Sequence, residues 1–210
     1  MFATVNATIY APGQWEAGQA QREEFWALLA AQPGARGAIR VDTGASRVLN
    51  LLVWEQEAQW VASRPVMEPA GARLMIPLFA TPLQQLGMGE VVRNTLTAGA
   101  APGYARLVEA TWGPGQWVAG QAARDELLAL QMQQSGCRGS LSVDIGADQR
   151  LLLQCWDSAA QYEAAQAVLG PATVRLIRPF LTHAIGKHLT APGRIHGEGA
   201  VVYDSLTPRA

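Results

Sequence analysis

Residues 12–20 read Pro-Gly-Gln-Trp-Glu-Ala-Gly-Gln-Ala, and residues 114–122 repeat this stretch with a single change, Val118 for Glu16. The offset of 102 residues holds over positions 12–83, where about 32 of the 72 positions are identical. Identity over this length identifies an internal duplication, which has to be recognised before any single element is assigned. The sequence therefore predicts two copies of one folding unit.

The two copies differ in length near their C-terminal ends. Residues 87–96 match residues 197–206 at an offset of 110, so the second copy carries eight additional residues near 186–195. Between the copies, the segment Ala-Gly-Ala-Ala-Pro-Gly is small, uncharged and typical of a linker. The predicted organisation is repeat A over 1–97, the linker over 98–103 and repeat B over 104–210.

Each copy has the element order βαββαβ. In repeat A the pattern predicts strands over 2–10, 38–41, 48–54 and 90–96 and a helix over 17–32. Between the last two strands it predicts helical segments over 56–64 and 70–86, and Pro77 and Pro82 break the second of these. The strand over 48–54 is apolar on both faces, whereas two helices cover only one face of a sheet. We therefore expect an α+β fold of two tandem ferredoxin-like repeats, packed sheet to sheet as an intramolecular dimeric α/β barrel.

The composition argues against several classes of function. Sixteen Lys and Arg against seventeen Asp and Glu give a net charge of -1, so the chain has no general electrostatic attraction to nucleic acid or to an anionic membrane surface. The apolar stretches are too short to span a bilayer, and two cysteines, Cys137 and Cys155, cannot form a disulfide framework. We expect a cytoplasmic protein with reduced thiols. No phosphate-binding glycine loop, paired nucleophile and base, or zinc-ligand spacing occurs in the sequence.

Three features of both copies resemble the antibiotic biosynthesis monooxygenase family, which consists of small dimeric α/β-barrel proteins with ferredoxin-like protomers. They are the helix-ending segments 32–37 and 135–139, the strand-ending Trp54 and Trp156, each followed by an acidic residue, and an aromatic residue six positions later, Trp60 and Tyr162. The resemblance spans nearly all of both copies. It implies the fold more than the activity, because this fold supports oxygenases, haem-degrading enzymes, decarboxylases and proteins with no known reaction.

The cofactor-free, quinone-forming oxygenases of this family supply a pattern for the site. The resemblance implies an Asn four residues before the Trp and a Tyr six residues after it. Repeat A has Asn50 and Trp54 but Trp60 in place of the Tyr. Positions i and i+4 of a strand share one face, so Asn50 and Trp54 can line one pocket.

Repeat B carries the complementary part of the pattern. It has Trp156 and Tyr162, but Leu152 replaces the Asn. An arginine on the following helical segment is also implied by the resemblance, and Arg73 and Arg175 fall near that position in the two copies. Neither copy holds the complete set, and repeat A is the better candidate.

The haem-degrading branch of the family implies another set, an Asn on the first strand with a Trp and a His on the second helical region. Asn6 could supply the first residue, but repeat A contains no histidine, and repeat B has Val108 at the matching position. The three histidines of repeat B lack the i, i+4 spacing that places two metal ligands on one helix face, so no metal site is expected. They are His183, His188 and His196.

The leading hypothesis is a monooxygenase or other oxidoreductase that needs no cofactor and acts on a small aromatic or hydroquinone-like molecule. In such chemistry the electron-rich substrate anion reduces dioxygen itself, and the protein supplies a dry pocket and hydrogen bonds. Asn50 would hold the substrate oxygen, Trp54 and Trp60 would stack on the ring, and Arg73 would favour the anion. The pocket residues of repeat B would be Trp156, Tyr162 and Arg175.

Alternatives stay open at this point. Asn50 can also be interpreted as a buried amide whose hydrogen bonds are made by neighbouring groups. The protein as a whole could bind a hydrophobic ligand without catalysis, could serve a structural role, or could bind haem through the histidines of repeat B. In each case the expected partner is a small molecule, the two repeats form an intramolecular pseudo-dimer, and further association into a homo-oligomer is left undecided.

Overall fold

The computed structural model describes residues 1–182 and 194–206. Over these residues the chain has an α+β fold with eight antiparallel strands and six α-helices, and the predicted tandem βαββαβ order is confirmed. Most of the predicted insertion near 186–195, together with His183 and His188, lies outside the described residues. The chain divides into two compact units, each described separately below.

The first unit comprises Met1–Glu90 and Val201–Leu206. Its elements are β1 (Phe2–Ile9), α1 (Gln14–Ala17), α2 (Gln19–Ala30), β2 (Ala35–Asp42), β3 (Arg47–Trp54), α3 (Glu57–Leu74) and the start of β4 (Gln84–Asn94). The strand order in this unit is β4-β1-β3-β2, with the end of β8 (Arg194–Asp204) next to β2. Strand β3 is therefore central, which agrees with its two apolar faces.

The second unit covers the described residues between Val91 and Ala200. Its elements are β5 (Tyr104–Thr111), α4 (Gln116–Ala119), α5 (Gln121–Met132), β6 (Cys137–Gly146), β7 (Gln149–Trp156), α6 (Ala159–Leu176), the end of β4 and the start of β8. The strand order is β8-β5-β7-β6-β4. The end of each repeat thus belongs to the compact unit of the other, whereas the repeat boundaries at 97 and 104 stay a prediction about the sequence.

Two helices differ from the sequence prediction in a way that affects the site. The helix expected over 17–32 is split at Gly18, where a Cβ atom would lie 2.6 Å from a methyl group of Leu78. The helical segments expected over 56–64 and 70–86 form one helix, α3, which runs through Pro65 and Pro69 and ends at Leu74. Strand β4 then begins at Gln84, six residues earlier than predicted.

The hairpins that join β2 to β3 and β6 to β7 both turn at an Asp-x-Gly segment, residues 42–44 and 144–146. In the first, the Asp42 carboxylate accepts a hydrogen bond from the Gly44 amide, and Gly44, Ala45 and Ser46 all have positive φ. This turn fixes the register of β2 on β3, and therefore which side chains of the two strands lie side by side.

No helix in the described part of the chain is long and apolar enough to cross a membrane.

Candidate functional site

A row of three polar side chains crosses the centre of the first unit's sheet. Asn50 on β3 lies opposite Asn6 of β1 on one side and opposite Arg40 of β2 on the other. Arg40 and Asn50 are only 3% and 5% exposed, respectively. Burying such groups is costly unless they bond to each other, so the row needs internal hydrogen bonds.

Along this row each hydrogen bond is donated in the same direction, from Arg40 towards Asn6. Arg40 Nε donates to the amide oxygen of Asn50 at 2.9 Å, and Asn50 Nδ2 donates to the amide oxygen of Asn6, also at 2.9 Å. Because a guanidinium can only donate, Arg40 fixes the orientation of the Asn50 amide, and Asn50 then fixes that of Asn6. The row ends at Asn6 Nδ2, a donor that has no partner among the described residues.

Asn6 lines a cavity of about 500 Å³ between the sheet and helices α2 and α3. The predicted residues Asn50, Trp54 and Trp60 also line this cavity. Most of the remaining wall is apolar or aromatic, including Tyr10, Phe25, Trp26, Leu29, Leu52, Met67, Met75 and Phe79. The volume and lining suit an aromatic ring system with few polar atoms.

The cavity wall is rich in hydrogen-bond donors. The indole N–H groups of Trp26 and Trp54 are buried and have no hydrogen-bond partner within residues 1–182 and 194–206. The one acidic residue of the described lining, Glu68, is exposed and pairs with Arg64 at 2.6 Å. The indole nitrogens of Trp26 and Trp54 have almost no accessible surface, so the two tryptophans contribute mainly ring surface to the cavity.

Arg40 gives the site a buried positive charge. Its guanidinium also donates to the Tyr10 hydroxyl at 2.7 Å and lies 4.9 Å from the Trp26 ring centre and 5.2 Å from that of Trp15. Burial lowers the pKa of Arg40, against the opposing effect of Tyr10, yet an arginine keeps its charge at neutral pH. No carboxylate in the described residues is bonded to it, so an anion in the cavity is favoured.

Not every residue predicted for repeat A reaches the cavity. Trp60 packs against Phe2 with ring centres 5.4 Å apart and contributes one wall. Arg73 lies outside: its side chain is 62% exposed and its guanidinium pairs with Glu24 at 2.6 Å. The structure therefore groups Asn50, Trp54 and Trp60 but does not bring Arg73 to them.

In repeat B the predicted residues are not brought together at a cavity. Trp156 is fully buried and packs against Tyr162, with ring centres 5.8 Å apart, in a core cluster. Arg175 is 65% exposed and pairs with Glu126. The positions that match the polar row of repeat A carry Ser142, Leu152 and Val108, of which only Ser142 is polar.

The described histidine and the cysteines do not form a cluster. His196 Nε2 lies 2.7 Å from a carboxylate oxygen of Glu109. Within the described residues no three His, Cys, Asp or Glu side chains come together as metal ligands. Neither Cys137 nor Cys155 takes part in a disulfide within the described residues.

Sequence reasoning missed Arg40 and the role of Asn6 within this site. Both residues lie opposite Asn50 only because of the strand register, which a single sequence does not give. The available signal was the substitution pattern between the copies, since Asn6, Arg40 and Asn50 are all replaced in repeat B while the flanking Val41 and Asp42 are kept.

No family model and no curated protein matches the chain. Solved structures with the same fold do exist. They include an anthrone oxidase-like protein (14% identity, 97% of this chain and 92% of that chain covered, TM-score 0.62), a putative monooxygenase of Fusobacterium nucleatum subsp. nucleatum (7%, 97% and 93%, 0.66) and a heme-degrading enzyme of Listeria monocytogenes (10%, 97% and 99%, 0.55).

These likenesses extend over both repeats and confirm the fold that the resemblance to the antibiotic biosynthesis monooxygenases implied. At identities of 7% to 14% they establish the fold alone. The activity has to be argued from the cavity and its side chains, because one fold supports unrelated chemistries.

Proposed function

We propose that the cavity of the first unit binds a small aromatic molecule with a phenol or ketone oxygen and promotes its oxidation by dioxygen without a cofactor. One observation carries the proposal: the polar row that begins at the buried Arg40 ends at Asn6, which lines an aromatic cavity and whose Nδ2 donor has no partner among the described residues. A donor backed by a buried cation stabilises negative charge that develops on a substrate oxygen. We expect the reaction in the cytoplasm, as the composition predicts.

Anthrone illustrates the chemistry and its balance. Loss of a methylene proton gives an oxygen-centred anion, whose electrons reduce dioxygen. One oxygen atom becomes the new carbonyl of anthraquinone, and the other leaves as water with the two hydrogens of the methylene group. No external reductant is needed, so the protein has only to bind the ring, stabilise the anion and exclude water.

The residues divide this work between binding and charge stabilisation. Trp54 and Trp60 would hold the ring by aromatic contact. Asn6 would donate to the substrate oxygen. Asn50 would act as a positioning residue, because it accepts a hydrogen bond from Arg40 and orients the Asn6 amide. No described side chain of the wall is placed as a general base, so the proton would leave to solvent from an anion that the row stabilises.

An oxygen electrode tests this proposal with anthrone and a naphthohydroquinone as probes. We expect oxygen uptake and formation of anthraquinone. Asn6→Asp keeps the acceptor for Asn50 but places a negative charge where the donor was, and should lower kcat at least about hundredfold, the usual effect of losing one oxyanion donor. Thermal unfolding would confirm that the variant is folded.

Arg73→Gln is the matched control, because Arg73 lies outside the cavity. It should leave oxygen uptake unchanged. If anthrone quenches tryptophan fluorescence but consumes no oxygen, the cavity is a ligand-binding site without catalysis, and the proposal fails. If Asn6→Asp has the same activity as the parent protein, the polar row has no part in the reaction.

A further inference from the structure

A second cavity, of about 150 Å³, lies in the second unit, and four arginines line it. They come from different elements: Arg93 from β4, Arg106 from β5, Arg124 from α5 and Arg150 from β7. No acidic side chain is found among the described residues of its wall. The function proposed for the first unit makes no use of this cavity.

The carboxylates near these arginines lie outside the cavity wall and neutralise the charge only in part. The three ion pairs are Arg93 with Asp125, Arg106 with Glu198 at 3.2 Å, and Arg150 with Asp144 at 2.7 Å. The carboxylate side chains are 34% to 52% exposed, whereas Arg106 and Arg150 are only 10% exposed. Water screens an exposed carboxylate, so the positive charge dominates on the cavity side.

Arg124 has no ion pair with a described carboxylate. Its guanidinium lies 3.6 Å from the Trp117 ring centre and 5.3 Å from that of Trp112, and it donates to the Trp117 carbonyl oxygen. Burial and the nearby Arg93 lower the pKa of Arg124 to about 10, which leaves it protonated at neutral pH. It is held in place by aromatic rings and keeps its charge for a ligand.

Several buried N–H groups of the wall have no hydrogen-bond partner in the part of the chain that the structure describes. They are the Nε groups of Arg124 and Arg150 and the Nε2 group of Gln131, whereas Arg106 Nε lies 3.2 Å from a carboxylate oxygen of Glu198. As whole residues, Arg106 and Arg150 are 8% exposed and Gln131 is 5% exposed. An unpaired buried donor is costly, so the packing of the second unit alone does not account for these side chains.

The rest of the wall combines apolar side chains with uncharged polar ones, the latter being Ser140, Ser142, Gln154, Gln166 and Thr173. The apolar part includes Leu127, Leu128, Leu152, Leu169 and Ile177 together with the rings of Trp112 and Trp117. A cavity of about 150 Å³ has room for a benzene-sized group. The combination of arginines and leucines matches a ligand that has one anionic end and one apolar end.

We propose that the second unit binds a small aromatic or branched aliphatic carboxylate, with its carboxylate at Arg106 and Arg124 and its apolar body against Leu127, Leu152 and Ile177. A planar carboxylate matches the planar donor pattern of a guanidinium, and the leucine and isoleucine side chains of the wall favour a ligand with an apolar body, which a free phosphate lacks.

The comparison with the first unit supports a site specific to the second unit. Arg124 has a counterpart in Arg22, which makes the same contact with the Trp15 carbonyl. The other three arginines do not: Arg93, Arg106 and Arg150 correspond to Tyr203, Thr4 and Val48. The scaffold is therefore stable without these three charges, and their presence in one cavity indicates a ligand rather than a requirement of folding.

Isothermal titration of the full chain with sodium benzoate tests this site, with benzyl alcohol and inorganic phosphate as comparison ligands. We expect saturable binding of benzoate and at least about tenfold weaker binding of the two others, the effect of one charge-assisted hydrogen bond or of the lost apolar contact. Equal affinity for benzyl alcohol would show that the arginines do not recognise the ligand. Tighter binding of phosphate would overturn the choice of a carboxylate.

Arg106→Thr introduces the residue of repeat A and should weaken benzoate binding about tenfold or more. Arg124→Gln is a second, independent variant with the same expectation. Arg175→Gln removes a charge from the same unit outside the cavity and should leave the affinity within about twofold. No benzoate binding by the folded parent protein, or equal loss in all three variants, would overturn the proposal without bearing on oxidation in the first unit.

Discussion

The two units form cavities from matching elements, but the polar side chains that line these cavities differ in type and position. In the first unit the polar groups form a row at the centre of the sheet, around Asn50, and aromatic rings surround it. In the second unit the matching centre is largely apolar, at Leu152 and Val108, and the polar groups lie at four separate arginines. The side chains that line the cavities differ between the two units, whereas the contacts that support the cavity walls are the same in both.

The conserved contacts show what the fold itself requires. In both units an arginine of the first long helix donates to the carbonyl of the tryptophan in the Pro-Gly-Gln-Trp segment and lies over its ring, at 4.2 Å for Arg22 and 3.6 Å for Arg124. The buried tryptophans Trp54 and Trp156 end matching strands. These contacts maintain the scaffold, even where the residue also lines a cavity, as Trp54 and Arg124 do. We assign the specificity of each cavity to the residues that differ between the two units.

The largest effect is expected from breaking the polar row. Asn50→Leu, the residue of repeat B, removes the acceptor of the buried Arg40 and should lower the free energy of unfolding by about 3 kcal/mol. The triple variant Asn6→Val, Arg40→Ser, Asn50→Leu copies the whole row of repeat B and should recover more than half of that loss, because no charge is left unpaired. Urea unfolding of the two variants measures both values.

The test is whether the triple variant is more or less stable than Asn50→Leu alone. If the triple variant is less stable than Asn50→Leu, the row is not an interchangeable unit. The site of repeat A would then be a requirement of its fold, and its assignment to ligand binding would lose its basis.

The sequence predicted the fold because the duplication doubled every signal for a strand or a helix. It also placed Asn50 and Trp54 at one cavity, since their spacing on a strand puts them on one face. It could not place Arg73, because the orientation of α3 depends on the helix running unbroken through Pro65 and Pro69. It could not find Arg40 either, because cross-strand register is a tertiary property.

A smaller effect is expected at the glycines that split the first helix of each copy. A Cβ atom on Gly18 would lie 2.6 Å from Leu78 and 2.8 Å from the Gln14 carbonyl oxygen, whereas on Gly120 the nearest atoms are at 3.1 Å. Gly18→Ala should therefore destabilise the protein by about 2 kcal/mol and Gly120→Ala by less than about 1 kcal/mol. Thermal unfolding compares them, and equal losses would show that the two helix breaks are equally tight.

The smallest effect concerns the thiols of repeat B, which repeat A replaces with Ala35 and Val53. Burial raises the pKa of the Cys137 thiol, so less thiolate is present at neutral pH than in a free cysteine. Its reaction with Ellman's reagent should be slower than that of glutathione at pH 7 and should accelerate as the pH rises. Cys155 is fully buried and should react only after unfolding. Fast labelling of both thiols at pH 7 would contradict this.

A crystal structure of the protein soaked with both anthraquinone and benzoate tests the assignment of two different cavities most directly. The account predicts anthraquinone in the first unit, with a carbonyl oxygen within hydrogen-bond distance of Asn6 Nδ2, and benzoate in the second, with its carboxylate at Arg106 and Arg124. Benzoate in the cavity of the first unit, or both cavities filled by protein side chains, would contradict it.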